Sequence, residues 1–314
     1  MRAFTVRLGI TGVVCLATSV SPAGGAAPAA VKTLLEREGF GGSPLHRRFG
    51  NHLFVDTLIN RSPTGLMIDS GCPITLIDRS SAKRLGLQVT ETRRFVGSVT
   101  GHVERYGVST ISTLVMGNCT FQNVPVEVAN EGQINLIARP HLDGLFGVHE
   151  MAKFGMIIDC ARQMIYVNPK GPSPSASLKL GQFLAARGFT RISMRLNSQH
   201  HLEIDAKLNS HPIRLLVDTG SGFSLISSPI AVESGASMSH QFFHRGTGIA
   251  HIGELNLGGL VLNNAEVATG NVAKFVGAGI LGEEYLSWNF GIVDVGGMNL
   301  YLRTPESKTP AKKR

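Results

Sequence analysis

One loop pattern, present twice, constrains this chain more than any other feature. The tripeptide Asp-Ser-Gly at 69–71 follows the apolar run 66–68, and Asp-Thr-Gly at 218–220 follows the apolar run 215–217. In both places apolar residues resume within a few positions. This pattern predicts a buried strand that ends in a tight turn and lifts one carboxylate out of the strand. Two such loops would supply two carboxylates to one site.

Two carboxylates held a hydrogen bond apart have a specific chemistry. They cannot both ionise, so they share a proton. One can then take a proton from a water while the other polarises a carbonyl, so a peptide bond can be hydrolysed without a metal or a covalent intermediate. Gly71 and Gly220 permit the tight turn. The hydroxyls of Ser70 and Thr219 can tie each loop to the backbone of the other.

The two tripeptides resemble the catalytic signatures of pepsin-like and retropepsin-like aspartic proteases. That family also has a second signature, an apolar pair followed by glycine, which this chain shows twice, ending at Gly147 and Gly282. The resemblance covers residues 54–302. It implies an all-β fold of two similar retropepsin-like β-barrel lobes with short helices, related by a pseudo-twofold axis. It also implies an aspartic endopeptidase, a hydrolase, with Asp69 and Asp218 as the catalytic pair.

The resemblance also assigns supporting roles. Gly147 and Gly282 would be packing glycines, where a side chain would collide with the catalytic loop. The residue after each tripeptide is often Ser or Thr in pepsin-like enzymes, with a hydroxyl that bonds the catalytic carboxylate. Ser221 fits this pattern, but Cys72 does not, because a thiol is a weak donor. This asymmetry predicts that Asp69 is the more readily protonated of the pair. The predicted loop-supporting residues are Ser70, Gly71, Thr219, Gly220 and Ser221.

The closing segments of the two halves repeat at a constant offset. Gly, Asp and Tyr at 147, 159 and 166 recur at 282, 294 and 301, each time 135 residues later (282 − 147 = 135). A repeat of this length indicates a duplicated domain and not a solenoid. The predicted organisation is a signal peptide at 1–30, an N-terminal lobe at 31–168, a linker at 169–182, a C-terminal lobe at 183–304 and a basic tail at 305–314.

Two glycine-rich stretches, 95–108 and 243–252, are candidate flaps that would close over a substrate. The alternative is a pair of ordinary surface hairpins. Pepsin-like flaps carry a Tyr, and Tyr106 is predicted to lie off the tip, so a glycine-based retropepsin-like flap fits better. The flap candidates are Gly97, Thr100, Gly101, Gly246, Thr247 and Gly248.

The N-terminus is typical of a secretory signal. Arg2 and Arg7 precede an apolar run at 8–20, and small residues at 24–30 offer a cleavage site between Ala26 and Ala30. We therefore expect a periplasmic or secreted protein. The apolar run is too short to span a bilayer well, and no later membrane span is expected.

Three cysteines remain after the signal, namely Cys72, Cys119 and Cys160. A disulfide between Cys119 and Cys160 is one option, and three small buried apolar residues are the other. The formal charge of +8 is partly located in the signal and the tail. Since no basic stripe interleaves with aromatic residues, no nucleic-acid partner is expected.

Two other classes of function stay open at this point. One is a duplicated peptide-binding module that kept the fold and lost turnover, against which the retention of both Asp residues argues. The other is a metallohydrolase, suggested by His240, His244, His251 and the pair at 200–201. Glycines interrupt the first three, so they match no zinc-binding helix. We expect a monomeric enzyme that needs no metal or cofactor and acts on a peptide or protein.

Overall fold

Each half of the chain forms a closed ring of six strands. The protein is represented by a computed structural model that describes residues 28–97, 103–130, 142–239, 248–272 and 277–303. In the N-terminal half the ring follows the strands at 53–59, 62–68, 144–146, 76–78, 119–129 and 103–116 and returns to the first. In the C-terminal half it follows the strands at 202–208, 211–217, 279–281, 225–227, 260–270 and 248–257 and returns to the first. The predicted all-β fold of two similar lobes is confirmed.

The N-terminal half contains the following elements: α1 (Pro28–Arg37), β1 (Gly41–Arg47), β2 (Leu53–Ile59), β3 (Ser62–Ile68), β4 (Leu76–Asp78), α2 (Arg79–Arg84), β5 (Thr90–Gly97), β6 (Val103–Met116), β7 (Cys119–Ala129), β8 (Gly144–Phe146), α3 (Val148–Lys153), β9 (Ile157–Asp159) and β10 (Met164–Val167). A 3-10 turn at Phe49–Asn51 precedes β2.

Helix α4 (Pro174–Ala185) connects this half to the next. The C-terminal half then contains β11 (Thr190–Leu196), β12 (Leu202–Leu208), β13 (His211–Val217), β14 (Leu225–Ser227), α5 (Ser228–Glu233), β15 (Ser237–Ser239), β16 (Gly248–Leu257), β17 (Leu260–Gly270), β18 (Gly279–Leu281), α6 (Glu283–Trp288), β19 (Ile292–Asp294) and β20 (Asn299–Leu302).

Matched strands of the two halves bury the same positions. The seven residues of β2 and of β12 share one order of buried and exposed side chains, with the last four alternating. Alternation places one face of each strand toward the barrel interior and the other toward solvent. The order of apolar residues in the sequence therefore sets which face of each barrel wall is buried.

A third, six-stranded sheet joins the lobes. Its order is β1-β10-β9-β19-β20-β11, with three strands from each half. The two halves meet where β9 and β19 pair antiparallel, with Ile158 opposite Val293. This pairing lies on the pseudo-twofold axis that the 135-residue repeat predicted.

Helices α1 and α4 pack on this interlobe sheet. Leu35 and Leu180 are fully buried and share a core cluster with the repeated residues Tyr166 and Tyr301. Because Val31 is already buried in this cluster, the chain from this point onward is an integral part of the fold.

The segment predicted as a linker, 169–182, does connect the halves, but much of it is helical. Ser173 caps α4 by accepting a hydrogen bond from the amide of Ala176, and Pro174 occupies the first turn. Serine at the cap and proline in the first turn are helix-start signals. The same composition is typical of linkers, and only the apolar residues that follow at 178–184 distinguish the two.

Local sequence signals set several of these elements. Asp78 caps α2 by accepting from the amides of Ser80 and Ser81, and hairpins turn at Gly117 and at Gly258 with positive φ angles. Helix α1 begins at Pro28, inside the segment predicted as a signal peptide. The rest of the predicted signal peptide (1–27) and the basic tail lie outside the described residues.

The cysteines decide between the two options left open by the sequence. Cys119 and Cys160 are not joined to each other, so the disulfide option is wrong. Cys119 and Cys160 are buried, as expected of small apolar core residues. Among the residues that the structure describes, no helix is long and apolar enough to cross a membrane.

We predict that replacing Leu35 by Ala destabilises the protein by about 3 kcal/mol, because it leaves a cavity between α1 and the interlobe sheet. Lys32→Ala is the matched control on the same helix, since Lys32 is about half exposed, and it should change the free energy of unfolding by less than about 0.5 kcal/mol. Urea unfolding measures both. Equal effects of the two substitutions would contradict the assigned role of α1.

Candidate active site

The two predicted tripeptides meet at the centre of the molecule. Asp69 directly follows strand β3, and Asp218 directly follows strand β13. The amide of Asp69 donates to the Phe146 carbonyl at 3.1 Å, and the amide of Asp218 donates to the Leu281 carbonyl at 3.0 Å. Each Asp loop is thus held by the strand that ends just before its packing glycine. The structure brings together all the residues predicted for the two loops.

Ser70 and Thr219 cross-link the loops. The Ser70 hydroxyl donates to the Val217 carbonyl at 2.8 Å and accepts from the Thr219 amide at 2.9 Å. In return, the Thr219 hydroxyl donates to the Ile68 carbonyl at 2.8 Å and accepts from the Ser70 amide at 3.1 Å. Both side chains are fully buried. The predicted hydroxyl ties between the loops are therefore present.

The two carboxyl groups lie within hydrogen-bond reach of each other. Gly71 donates its amide to Asp69 Oδ1 at 2.9 Å, and Gly220 donates its amide to Asp218 Oδ1 at 2.8 Å. Neither glycine could carry a side chain, because a Cβ at Gly71 would overlap the Asp218 carboxylate and one at Gly220 would overlap that of Asp69. The glycines thus allow the loops to approach until the two carboxyl groups meet.

Burial sets the electrostatics of the pair. It raises the pKa of Asp218, while the amides of Gly220 and Ser221 and the Asp69 carboxyl act in the opposite direction. Two such close carboxyls titrate as a unit and share one proton. The arrangement can therefore present one acid and one base to a molecule between them.

Gly147 and Gly282 lie where packing glycines were predicted. A Cβ on Gly147 would overlap the backbone of Ile74, and one on Gly282 would overlap the backbone of Phe223. Rigid backbone, and not a flexible side chain, occupies the space at both positions. A substitution there would push the adjacent catalytic loop out of place.

The Ser221 hydroxyl does not make the contact with Asp218 that was predicted for it. The Ser221 hydroxyl donates to the Phe223 carbonyl at 2.8 Å, and it is the Ser221 amide that donates to Asp218. The Cys72 thiol makes the equivalent contact with the Ile74 carbonyl at 3.2 Å. Both side chains thus turn back onto their own loops. That Asp69 is the more readily protonated carboxyl stays a prediction.

Sequence reasoning missed a second pair of hydroxyls. Thr75 accepts from the Gly147 amide at 3.1 Å, and Ser224 accepts from the Gly282 amide at 2.9 Å. Both are buried and lie six residues after a catalytic Asp (75 − 69 = 6 and 224 − 218 = 6). A hydroxyl residue at the same offset in both halves was the signal that could have identified them.

The flap candidates are only partly described. Gly97 ends β5, which pairs with β6 in a hairpin, and Gly248 begins β16. Thr100, Gly101, Gly246 and Thr247 lie outside the described residues, so the flap assignment stays a prediction. Tyr106 is buried and packs in a core cluster, in agreement with a position away from the tip.

No group of three or more His, Cys, Asp or Glu side chains in the described part of the chain is arranged to hold a metal ion. His251 contacts Glu266 and Ser239. His240 and His244 lie outside the described residues.

Comparison with known proteins agrees with this site. A family model described as aspartyl protease matches residues 55–149, which include the Asp69 loop and Gly147. Basic 7S globulin from soybean has a similar structure, with a TM-score of 0.52 and 9% sequence identity over 85% of this chain and 95% of that chain. At this identity the likeness concerns the fold alone. No curated protein matches the chain. The resemblance to pepsin-like and retropepsin-like aspartic proteases is confirmed.

We predict that Gly147→Ala destabilises the protein by about 1–3 kcal/mol, because the new methyl group must displace loop backbone. Gly65→Ala is the control in the same barrel, since an added Cβ there meets only the end of the Arg48 side chain at 3.7 Å. It should change the free energy of unfolding by less than about 1 kcal/mol. Urea unfolding compares the two, and a Gly147 variant as stable as the Gly65 variant would contradict the packing role.

We also predict a pH-dependent gain in stability from Asp218→Asn. Because burial raises the pKa of Asp218, the folded state holds this proton more tightly than the unfolded state. Its stabilising contribution is present at low pH and is lost as the pH rises through the folded-state pKa. The Asn variant does not titrate, so its stability relative to the wild type should rise with pH over this window.

Denaturant unfolding from acidic to neutral pH measures this difference. Asp205→Asn is a control of opposite sign, because a hydrogen bond from Arg195 lowers the pKa of Asp205. Its stabilising contribution is present at neutral pH and is lost as the pH falls through the folded-state pKa. A difference between the Asp218 variant and wild type that does not change with pH would contradict a raised pKa in the folded state.

Proposed function

We propose that the protein is an aspartic endopeptidase that hydrolyses peptide bonds through a water activated between Asp69 and Asp218. One observation carries this proposal: the crossed hydrogen bonds of Ser70 and Thr219 hold the two carboxyls within hydrogen-bond reach. The match of residues 55–149 to the aspartyl protease family supports it.

The mechanism follows from the shared proton. The ionised carboxyl takes a proton from the water, whose oxygen attacks the substrate carbonyl carbon, while the protonated carboxyl donates a hydrogen bond to the carbonyl oxygen of the tetrahedral intermediate. The carboxyl that took the water proton then gives it to the leaving nitrogen as the C–N bond breaks, and the pair again shares one proton. Amides of Gly71 and Gly220 stabilise the charge on the pair at each stage, because each donates to an Oδ1 atom.

The proposed substrate is a peptide segment within a protein or a free peptide. Both catalytic loops come from one chain, so we propose that the enzyme works as a monomer. The hairpin of β5 and β6 is proposed as a flap, with the matching hairpin before β16 in the other lobe.

We further propose that the protein is exported and acts in the periplasm or outside the cell. The argument rests on the sequence at 2–30. Burial of Val31 and Leu35 against the interlobe sheet supports cleavage upstream of Val31, between Ala26 and Ala30, because a cut further along the chain would remove part of the core.

The proposal predicts that the mature protein cleaves a diverse peptide library and that Asp69→Asn or Asp218→Asn each lowers the rate by about 10²–10⁴-fold, because each removes an acid–base group. Cleavage is followed by mass spectrometry from acidic to neutral pH, with pepstatin added in parallel. Asp205→Asn makes the same chemical change on an exposed strand position and should leave the rate unchanged.

Two outcomes would overturn the proposal. Cleavage that survives both substitutions in the catalytic pair would place the chemistry elsewhere. A folded wild-type protein that binds peptides but cleaves none at any pH would instead identify a peptide-binding module on the same fold.

A further inference from the structure

We propose that three residues, Arg47, Asn51 and Glu283, form an interlobe latch that positions the catalytic loop of Asp218. Arg47 and Asn51 belong to the N-terminal lobe, whereas Glu283 and the loop belong to the C-terminal lobe. The latch is a device of one loop only. Its effect on catalysis rests on the proposed endopeptidase function, but its effect on the loop does not.

The first part of the latch is a direct contact with the loop. The Asn51 side-chain amide donates to the carbonyl of Gly222 at 3.0 Å. The carbonyl of Gly50 lies so close to Gly222 that a Cβ there would overlap it. Two successive residues of one lobe therefore contact the turn that follows Asp218 in the other.

The second part is an interlobe ion pair. Arg47 uses one guanidinium nitrogen to donate to Asn51, at 2.7 Å to Oδ1 and 3.1 Å to the carbonyl. With the other it donates to Glu283 Oε1 at 2.8 Å and to the Ser287 hydroxyl at 2.7 Å. The Glu283 side chain is fully buried. Burial of a carboxylate carries a desolvation cost that a hydrogen-bonded cation offsets, so the contact with Glu283 holds Arg47 in place.

Glu283 also holds the loop through its backbone, which closes a ring. Its amide donates to the Ser221 carbonyl at 2.8 Å. The ring runs from Ser221 and Gly222 to Asn51, then to Arg47, and back to Ser221 through Glu283. It constrains two consecutive carbonyls of the loop. Because the Ser221 amide donates to Asp218 Oδ1 at 3.1 Å, a shift of this turn moves a hydrogen-bond donor of the catalytic carboxyl.

Within the part of the chain that the structure describes, the Asp69 loop has no counterpart of this ion pair. The strands that carry the loops repeat with an offset of 149 (218 − 69 = 149), which places Leu196 at the position of Arg47 and His200 at that of Asn51. The closing segments repeat with an offset of 135, which places Val148 at the position of Glu283. Leu and Val cannot form an ion pair, so the latch supports the Asp218 loop alone.

The test uses Asn51→Gly, with His200→Gly as the matched control. Asn51 and His200 have φ angles of 69° and 64°, which glycine adopts freely, so neither change strains the backbone. The first removes the donor to Gly222, and the second removes an exposed side chain at the equivalent place. Hydrogen–deuterium exchange of the amides at 218–224 and 69–75 is measured by mass spectrometry, together with kcat and KM for a cleaved peptide.

Asn51→Gly should speed exchange at 218–224 at least about tenfold, leave 69–75 unchanged, and lower kcat about 10–100-fold with KM within about twofold, because a misplaced catalytic group slows the chemical step. His200→Gly should match the wild type in every measurement. Exchange at 218–224 that is unchanged, or faster to the same extent in both loops, would overturn the latch.

A second variant tests the ion pair. Arg47→Met alone would leave a buried carboxylate without a partner and endanger folding, so it is combined with Glu283→Gln, which removes the charge and keeps the shape. The double variant should speed exchange at 218–224 selectively, as Asn51→Gly does, and an unchanged loop would overturn the role of Arg47. A wild type that cleaves no peptide would refute the proposed function, while the exchange data would still decide whether the latch exists.

Discussion

The crossed hydrogen bonds between Ser70 and Thr219 are the constraint on which the rest of the structure depends. Each hydroxyl is fully buried and finds both of its partners in the other loop. A buried hydroxyl without partners costs about 1–3 kcal/mol. The hydroxyl of each loop therefore has its hydrogen-bond partners only when the other loop lies directly opposite. The meeting of the carboxylates follows from this requirement, since each Asp directly precedes its hydroxyl residue.

The duplicated architecture places these two loops opposite each other. In each barrel one strand ends directly before Asp69 or Asp218. Its parallel neighbour ends directly before the packing glycine. The interlobe sheet then joins the lobes through β9 and β19 on the pseudo-twofold axis. Asp159 and Asp294, which repeat between the halves, have a structural role here, because each accepts a hydrogen bond from the amide three residues later in the following turn.

The symmetry is broken beside one of the loops. Arg47 and Glu283 connect the lobes next to the Asp218 loop, and the equivalent positions hold Leu196 and Val148. A charge pair of this kind gives little net stability but penalises any arrangement that separates its members. Duplication thus supplies two carboxylates on equivalent loops, and the contacts around these two loops differ.

Much of the fold and of the site follows from local pattern. The buried strands before the two Asp-(Ser/Thr)-Gly tripeptides and the tight turns that follow were predicted because their signals lie within a few residues of one another. The cap of α2 by Asp78 and the hairpin turns at Gly117 and Gly258 depend on equally local signals. Backbone sterics and strand alternation act over short distances, so the sequence alone determined these features.

Tertiary structure decided the features whose partners are distant in sequence. The Ser221 hydroxyl donates to the Phe223 carbonyl, two residues away, and not to the carboxylate that the family pattern suggested. Helix α4 forms in a segment of linker composition because the interlobe sheet offers its apolar residues a surface. Cys119 and Cys160 stay unpaired, and Arg47 meets Glu283 across 236 residues. No local sequence pattern predicts such contacts. They depend on how the two lobes, each folded from its own part of the sequence, pack against each other.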